Sequence, residues 1–182
     1  MSFISLDIAA ALTGVSKRTL WRRIAAGTLT ASRGGGAAAE LTRVSLAEIA
    51  PWAAFDLSAE DLECVRAADE GDVDAQCDFG LLLLANQQAA EALNWFEKAS
   101  RHFHADAMHW LGRCLIAGRG AAADREAGIG WLRRAAARGR HPTVGHMVAW
   151  LDAHPEATLT GEELEAVFDR IEREIMLESV QG

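Results

Sequence analysis

The fold is decided by two consecutive stretches with one pattern, VDAQCDFGLLLLANQQAAEALNWFEKASRHFH (residues 73–104) and ADAMHWLGRCLIAGRGAAADREAGIGWLRRAAARGRH (residues 105–141). Set under each other, they place Gly80 on Gly112 and Trp95 on Trp131. The second stretch is longer by a few residues in the loop 118–124, where added length costs little free energy. Such self-similarity predicts stacked helical hairpins that share a core.

Each stretch is expected to form two helices, with a glycine where the paired helices approach and a tryptophan that fills the gap to the next unit. This pattern resembles the Sel-one-like repeat, a relative of the tetratricopeptide repeat. The resemblance implies a short α-solenoid that binds protein. The residues that carry it in the second unit are Ala107, Leu111-Gly112, Gly118-x-Gly120, Asp124, Trp131, Ala135-Ala136 and Gly139. The first unit lacks the Gly-x-Gly loop.

Further helices are predicted on both sides of these units. Before them, Ser58 and Asp61 can cap a helix that ends at Gly71. After them come a helix over 143–153 and a last helix that Thr160 and Glu163 can cap. The last helix has an apolar stripe, which caps the solenoid or, as the alternative, forms the seam of a homodimer. The stripe comprises Leu164, Val167, Phe168, Ile171 and Ile175.

If Gly80 and Gly112 mark the crossing points, the first helix of each unit lines a concave groove. We expect this groove to bind a protein or peptide, with an arginine that can fork a carboxylate. The alternative is that its leucines pack on the N-terminal part of the chain. The predicted partner-binding residues are Leu81, Leu84, His109, Arg113 and Ile116.

The N-terminal residues predict two short helices joined by a tight turn. Ser5 can cap a helix over 6–13 that stops at Gly14, and Ser16 can cap a second helix over 17–26 that stops at Gly27. A short hairpin of residues 29–33 and 40–44 follows. A third helix is expected after Ser45, with Glu48 completing a capping box.

This order resembles the winged helix-turn-helix of the MerR and excisionase families. The residues that carry the resemblance are Ala9-Ala10, Gly14-Val15-Ser16, Thr19-Leu20, Gly27-x-Leu29, Arg33 with the glycines after it, and Arg43-Val44-Ser45-Leu46 leading to Trp52. It implies that the second helix enters the major groove of double-stranded DNA. One departure is the hairpin tip, Gly34–Ala39, which consists of glycine and alanine. The predicted DNA-binding residues are Lys17, Arg18, Thr19, Arg22, Arg23, Arg33 and Arg43.

Charge is distributed unevenly along the chain. Residues 1–52 carry six Lys and Arg against three Asp and Glu, a net charge of +3 (6 − 3). Because the whole chain of 182 residues carries −8, the remainder carries −11 (−8 − 3). A basic head on an acidic body suggests a nucleic-acid face and a protein-facing part.

We therefore expect a mainly α protein with a winged helix-turn-helix domain over 1–52 and a repeat solenoid with its capping helix over 58–182. The expected function is a DNA-binding transcriptional regulator whose repeats contact protein. The alternative is a non-enzymatic adaptor in which both domains bind proteins.

The sequence lacks the motifs of common enzymes, cofactor sites and metal sites. It has no HExxH, GxSxG or GxxxxGK[ST] motif, and GRGAAA (118–123) lacks the preceding strand that a dinucleotide site requires. His102, His104 and His109 do not have zinc-ligand spacing. We expect no enzymatic activity, no cofactor and no metal. No stretch reaches the ~20 apolar residues of a membrane span, and three scattered cysteines fit a reducing cytoplasm.

Overall fold

The computed structural model describes residues 2–33, 42–139, 142–155 and 159–181, and within them the chain is mainly helical. The described elements are β1 (Phe3–Ser5), α1 (Leu6–Thr13), α2 (Lys17–Ala25), β2 (Ala31–Arg33), β3 (Thr42–Ser45), α3 (Leu46–Ile49), a 3₁₀ turn (Ala50–Trp52), α4 (Ala59–Glu70), α5 (Val73–Ala85), α6 (Ala89–Arg101), α7 (Ala105–Ala117), α8 (Arg125–Ala137), α9 (Pro142–Ala153) and α10 (Gly161–Gln181). Within these residues, no helix combines the length and the apolar character that crossing a membrane requires.

The chain divides into two compact units, Met1–Gln87 and Gln88–Gly182. The division falls between α5 and α6, inside the first of the two aligned repeats. The sequence predicts that the second domain begins at residue 58. The structure differs because α4 contacts strand β1 and α5 packs on α4, so both helices belong to the first unit.

The first unit is built around a three-stranded antiparallel sheet in the order β1-β3-β2. Ile4 of β1 pairs with Val44 of β3, and both side chains are fully buried. Ile8 and Leu12 of α1 and Leu20 of α2 complete this core. The hairpin of β2 and β3 follows the prediction, although its tip, Gly34–Ala39, lies outside the described residues. Strand β1 was not predicted, since three residues are too few to show a period.

Both predicted caps of the first two helices are confirmed. The Ser5 and Ser16 hydroxyls accept hydrogen bonds from the N–H groups of Ile8 and Thr19, and Gly14 ends α1 at a φ of +65°. The capping box predicted for α3 is wrong, because Ser45 makes no side-chain cap. Its intended partner, the Glu48 carboxylate, instead accepts a hydrogen bond of 2.8 Å from the Thr30 N–H. Hydrogen bonding to Thr30 holds the pKa of Glu48 below its ordinary value.

Helix α4 is tied to the sheet by one buried carboxylate. Ser58 and Asp61 form the predicted capping box, and Gly71 ends the helix. Both oxygens of Asp69 accept from the Ser5 N–H at 3.1 Å, and Arg43 lies 3.5 Å from one of them. Asp69 is the next-to-last residue of α4, yet its side chain is only 4% exposed. This contact places α4 in the first unit.

The four helices of the two aligned repeats have equal lengths. Helices α5, α6, α7 and α8 each contain 13 residues, as the alignment predicts. In the second repeat, a Cβ on Gly112 would lie 2.8 Å from the Gly128 carbonyl oxygen, and a Cβ on Gly128 would lie 2.7 Å from that of Gly112. The two glycines therefore let the backbones of α7 and α8 approach closely. Gly112 confirms the predicted crossing point, and Gly128 is its unpredicted counterpart.

The Gly-x-Gly loop after α7 has a geometric explanation. Gly118 ends the helix at a φ of +68°, and Gly120 follows at +82°. A Cβ on Gly120 would lie 2.4 Å from the carbonyl oxygen of Ala89, so the loop packs against the first residue of α6. The two glycines of this loop thus have a structural role.

Helix α10 runs antiparallel to α7. Gly161 at its start approaches Ala117 at the end of α7, while Glu172 reaches Arg113 one turn before that end. The Thr160–Glu163 capping box is confirmed. The predicted apolar stripe packs into the core of the second unit: Leu164, Phe168 and Ile171 are at most 8% exposed. The stripe is therefore buried within the chain itself, and it is not available as the seam of a homodimer.

The α7–α8 contact predicts opposite effects for two glycines of the same helix. Gly128→Ala should lower the free energy of unfolding by about 1–3 kcal/mol, because the added methyl meets the Gly112 carbonyl and Ile116. Gly130→Ala should raise it by about 0.5–1 kcal/mol, since nothing lies within 4 Å and alanine favours helix. Urea unfolding followed by circular dichroism measures both. Equal effects at the two positions would contradict the close approach.

Candidate functional site

Helix α2 presents a basic face opposite its core face. Leu20 is fully buried and Ile24, four residues on, is partly buried, so this side packs on the first unit. Arg18, Trp21 and Arg22 are exposed and share the other side, because positions three and four residues apart lie together on a helix. Trp21 is 44% exposed and was missed by the sequence analysis. Its signal was available, since its spacing matches that of the two arginines and differs from that of the core residues.

Several of the predicted DNA contacts are engaged within the protein. Lys17 forms an ion pair with Asp7, and Arg23 lies 4.2 Å from the centre of the Trp52 ring. Arg43 donates to the Phe3 carbonyl oxygen at 3.4 Å as well as pairing with Asp69. These contacts orient the three cations and partly neutralise two of them.

The remaining predicted residues have distinct positions. The Thr19 hydroxyl lies 3.1 Å from the Ser16 hydroxyl at the start of α2, so it belongs to the cap. The backbone of Arg33 is in β2 opposite Thr42, while its side chain lies outside the described residues. Arg18 and Arg22 enter no ion pair within the described part of the chain. They are the cations best placed to meet an external anion.

The predicted partner groove is closed along α7. Ile116 is 3% exposed, His109 5% and Arg113 4%, so none of them lies on an open face. In the first unit, Leu81 and Leu84 are partly buried. The predicted groove is therefore wrong for the three α7 residues, because α10 covers that side of the helix.

Arg113 does make a bidentate contact with a carboxylate, but the carboxylate belongs to its own chain. Its Nε and Nη2 donate to the two oxygens of Glu165 at 3.1 and 2.9 Å, and further bonds reach Asp169 and Glu172. Burial alone lowers the pKa of Arg113, but these hydrogen bonds and charges outweigh burial and hold it above its ordinary value. The Trp110 ring lies beneath the guanidinium, 5.0 Å away.

The histidines of the described residues have separate surroundings. No group of three His, Cys, Asp or Glu residues suited to hold a metal ion occurs among the described residues. His104 has a structural role, since its Nδ1 accepts a hydrogen bond of 3.1 Å from the Ala107 N–H and caps α7. Arg113 with Glu165, Asp169 and Glu172 forms a charged cluster, which we call the Arg113 cluster. His109 lies at its edge, 3.7 Å from Glu172.

No protein-family model, no curated protein and no solved structure matches this chain.

The Arg113 cluster predicts a large cost for removing its cation. Arg113→Ala should lower the free energy of unfolding by about 3–5 kcal/mol, because the Glu165 carboxylate stays buried with its main counter-charge gone. The matched control is Arg133→Ala, which breaks an exposed ion pair with Asp152 and should cost about 0–1 kcal/mol. Chemical denaturation of both variants decides the matter. A similar small cost for both would show that the cluster does not hold α10.

The raised pKa values of two cysteines predict that these thiols are alkylated slowly. Burial, followed by the charge of Asp78, raises the pKa of Cys64 to about 11, and burial, followed by Glu165, raises that of Cys114 to about 11. Their thiolates are therefore scarce at pH 8, and iodoacetamide should modify Cys64 about 100-fold more slowly in the folded chain than in the denatured one. The rate should rise as the pH approaches 11. Peptide mass spectrometry measures it, and equal rates in both states would refute the prediction.

Proposed function

We propose that the first unit binds double-stranded DNA through α2 and that the protein is a transcriptional regulator whose helical hairpins contact protein. The supporting observation is the exposed face of Arg18, Trp21 and Arg22. Its arginines enter no ion pair within the described residues, in a chain of net charge −8. Arginine on such a face can bond phosphates or guanine edges through its planar fork.

The arrangement around α2 supports the same proposal. A short capped helix follows α1 after a three-residue turn, and a β-hairpin comes next in the chain. This order resembles that of the winged helix-turn-helix, in which the N-terminal part of the second helix reads bases. Arg18 lies in the first turn of α2, so it is the candidate for base contact. Arg22 lies one turn later and is the candidate for phosphate contact.

The adaptor function is the second candidate, and Trp21 favours it. A tryptophan that is 44% exposed between two arginines is typical of a protein-interface hot spot. Binding to DNA and binding to protein make different demands on the same face. Phosphate contacts release counterions, so DNA binding weakens steeply as salt rises, whereas a contact centred on Trp21 depends mainly on its apolar area.

The test is a salt titration of DNA binding. A fluorescein-labelled duplex of mixed sequence is titrated with the full chain, and anisotropy gives the affinity at several ionic strengths. Arg18→Ala with Arg22→Ala should weaken binding and reduce the slope of log K against log salt by about 1, since Arg22 is the candidate phosphate contact and each such contact contributes about 0.9. On a selected site, Arg18→Ala should cost about 1–3 kcal/mol at one base position.

The control for this experiment is Arg66→Ala. Arg66 is an equally charged residue on α4 that pairs with Glu63 and Glu70, so its removal should leave the slope unchanged. The absence of salt-dependent binding by the unmodified chain at low ionic strength would overturn the DNA proposal. Loss of a protein contact on Trp21→Ala, with no DNA binding, would establish the adaptor instead.

A further inference from the structure

The second unit holds an open apolar cavity with a basic rim. Its volume is about 520 Å³, and it lies among α6, α7, α8 and the turn after α6. Phe103, Met108 and Trp131 supply the apolar surface, and Arg101, Arg134 and Arg138 supply the rim. Two of these arginines stand over rings of the cavity: Arg134 lies 4.5 Å from the centre of the Trp131 ring, and Arg138 lies 4.3 Å from that of Phe103.

Phe103, which lines this cavity, has an exposed apolar ring and an unfavourable backbone conformation. It is 62% exposed, and its φ of +63° is in the left-handed region that disfavours side chains. The aligned position in the second repeat is Gly139, with a φ of +68°. A glycine at residue 103 would remove both the strain and the exposed ring. Backbone strain combined with an exposed aromatic side chain points to a binding role.

The chemistry of the cavity specifies its occupant. The guanidinium groups of Arg134 and Arg138 over apolar rings favour a segment with carboxylates beside a bulky apolar side chain, while Arg101 is paired with Glu97 at 3.8 Å. This chain exposes such a segment. Met176 and Leu177 at the end of α10 are 66% and 63% exposed, and the exposed Glu174 and Glu178 flank them.

The segment does not occupy the cavity of its own chain. The cavity is lined by residues of α6, of α8, of Met108 in α7 and of the intervening turn, and both Phe103 and Leu177 remain exposed. Upstream, α10 is fixed to α7 by Arg113 and by its buried stripe. Within one chain the two surfaces therefore stay apart, and a second copy of this chain can supply each surface with its complement.

We propose that two copies of this chain associate by exchanging these surfaces, the 174–178 segment of each α10 entering the Phe103 cavity of the other. Met176 or Leu177 packs on Phe103 and Trp131, and Glu174 and Glu178 meet the arginine rim. A reciprocal exchange forms the contact twice and closes a two-fold dimer. Each contact is small, so the dimer dissociates in the micromolar range or above it.

The test uses charge reversal of exposed residues in the full chain, with association measured by analytical ultracentrifugation from micromolar to sub-millimolar concentration. Arg134→Glu with Arg138→Glu should weaken self-association about 10-fold or more, because like charges then face each other. Glu174→Arg with Glu178→Arg should do the same. A chain that carries all four changes should associate again, since the two reversed surfaces match.

The matched control is Arg170→Glu, an exposed reversal on α10 outside the segment, which should leave the association unchanged. Circular dichroism melting confirms that each variant is folded. A monomeric unmodified chain at the highest concentration overturns the proposal, and so does a dimer that the reversals leave intact. A four-fold variant that stays monomeric overturns the pairing of segment with cavity. None of these readouts involves DNA, so they stand apart from the proposed function.

Discussion

A guanidinium inside a protein must be met by carboxylates, and the second unit is organised around that requirement at Arg113. Its side chain is 4% exposed, and its bidentate partner, Glu165, is 7% exposed. Both charges are stable there only because each neutralises and hydrogen-bonds the other. The pair brings α10 onto α7, which buries the apolar stripe of α10. The pair and the buried stripe together cover the face of α7 on which the groove was predicted.

The first unit uses the same principle with the charges reversed. The carboxylate of Asp69 is buried, and it is satisfied by the Ser5 N–H and by Arg43. The contact joins α4 to β1 and β3, so the compact unit extends beyond the sheet and its three small helices. It also engages Arg43, one of the cations predicted to contact DNA. A residue that is basic in sequence can therefore be committed to holding the fold together.

Ion pairs within the chain reduce the number of cations in residues 1–52 that can meet an external anion. The net charge of +3 over residues 1–52 includes Lys17 paired with Asp7 and Arg43 paired with Asp69. Among the described side chains of this segment, the cations without an internal partner are Arg18 and Arg22, which share one face of α2. This concentration favours a directed contact through Arg18 and Arg22 over a diffuse basic surface, and it explains why the DNA proposal rests on those two residues.

Much of the local structure could be predicted from the sequence because its causes are local. The caps at Ser5, Ser16, Ser58 and Thr160 involve atoms three residues apart. The repeats are visible in the sequence as an equal spacing of small and large residues, because small residues are needed where paired helices approach and large residues where a gap must be filled. The face of α2 follows from helical periodicity alone.

Contacts between residues distant in the chain were decided only by the tertiary structure. Glu48 had a local partner in Ser45 and bonded instead to Thr30. Arg113 had the chemistry to fork a partner's carboxylate and found Glu165, 52 residues away in its own chain. Phe103 became an exposed ring in a strained backbone because of the turn it occupies. The amino-acid sequence is enough to predict most of the helices, their caps at Ser5, Ser16, Ser58 and Thr160, and their apolar faces, because these depend on neighbours a few residues away. The packing of whole helices determines which charges are buried, which faces stay exposed and where the two units divide. These features depend on residues far apart in the chain, so they cannot be predicted from local sequence.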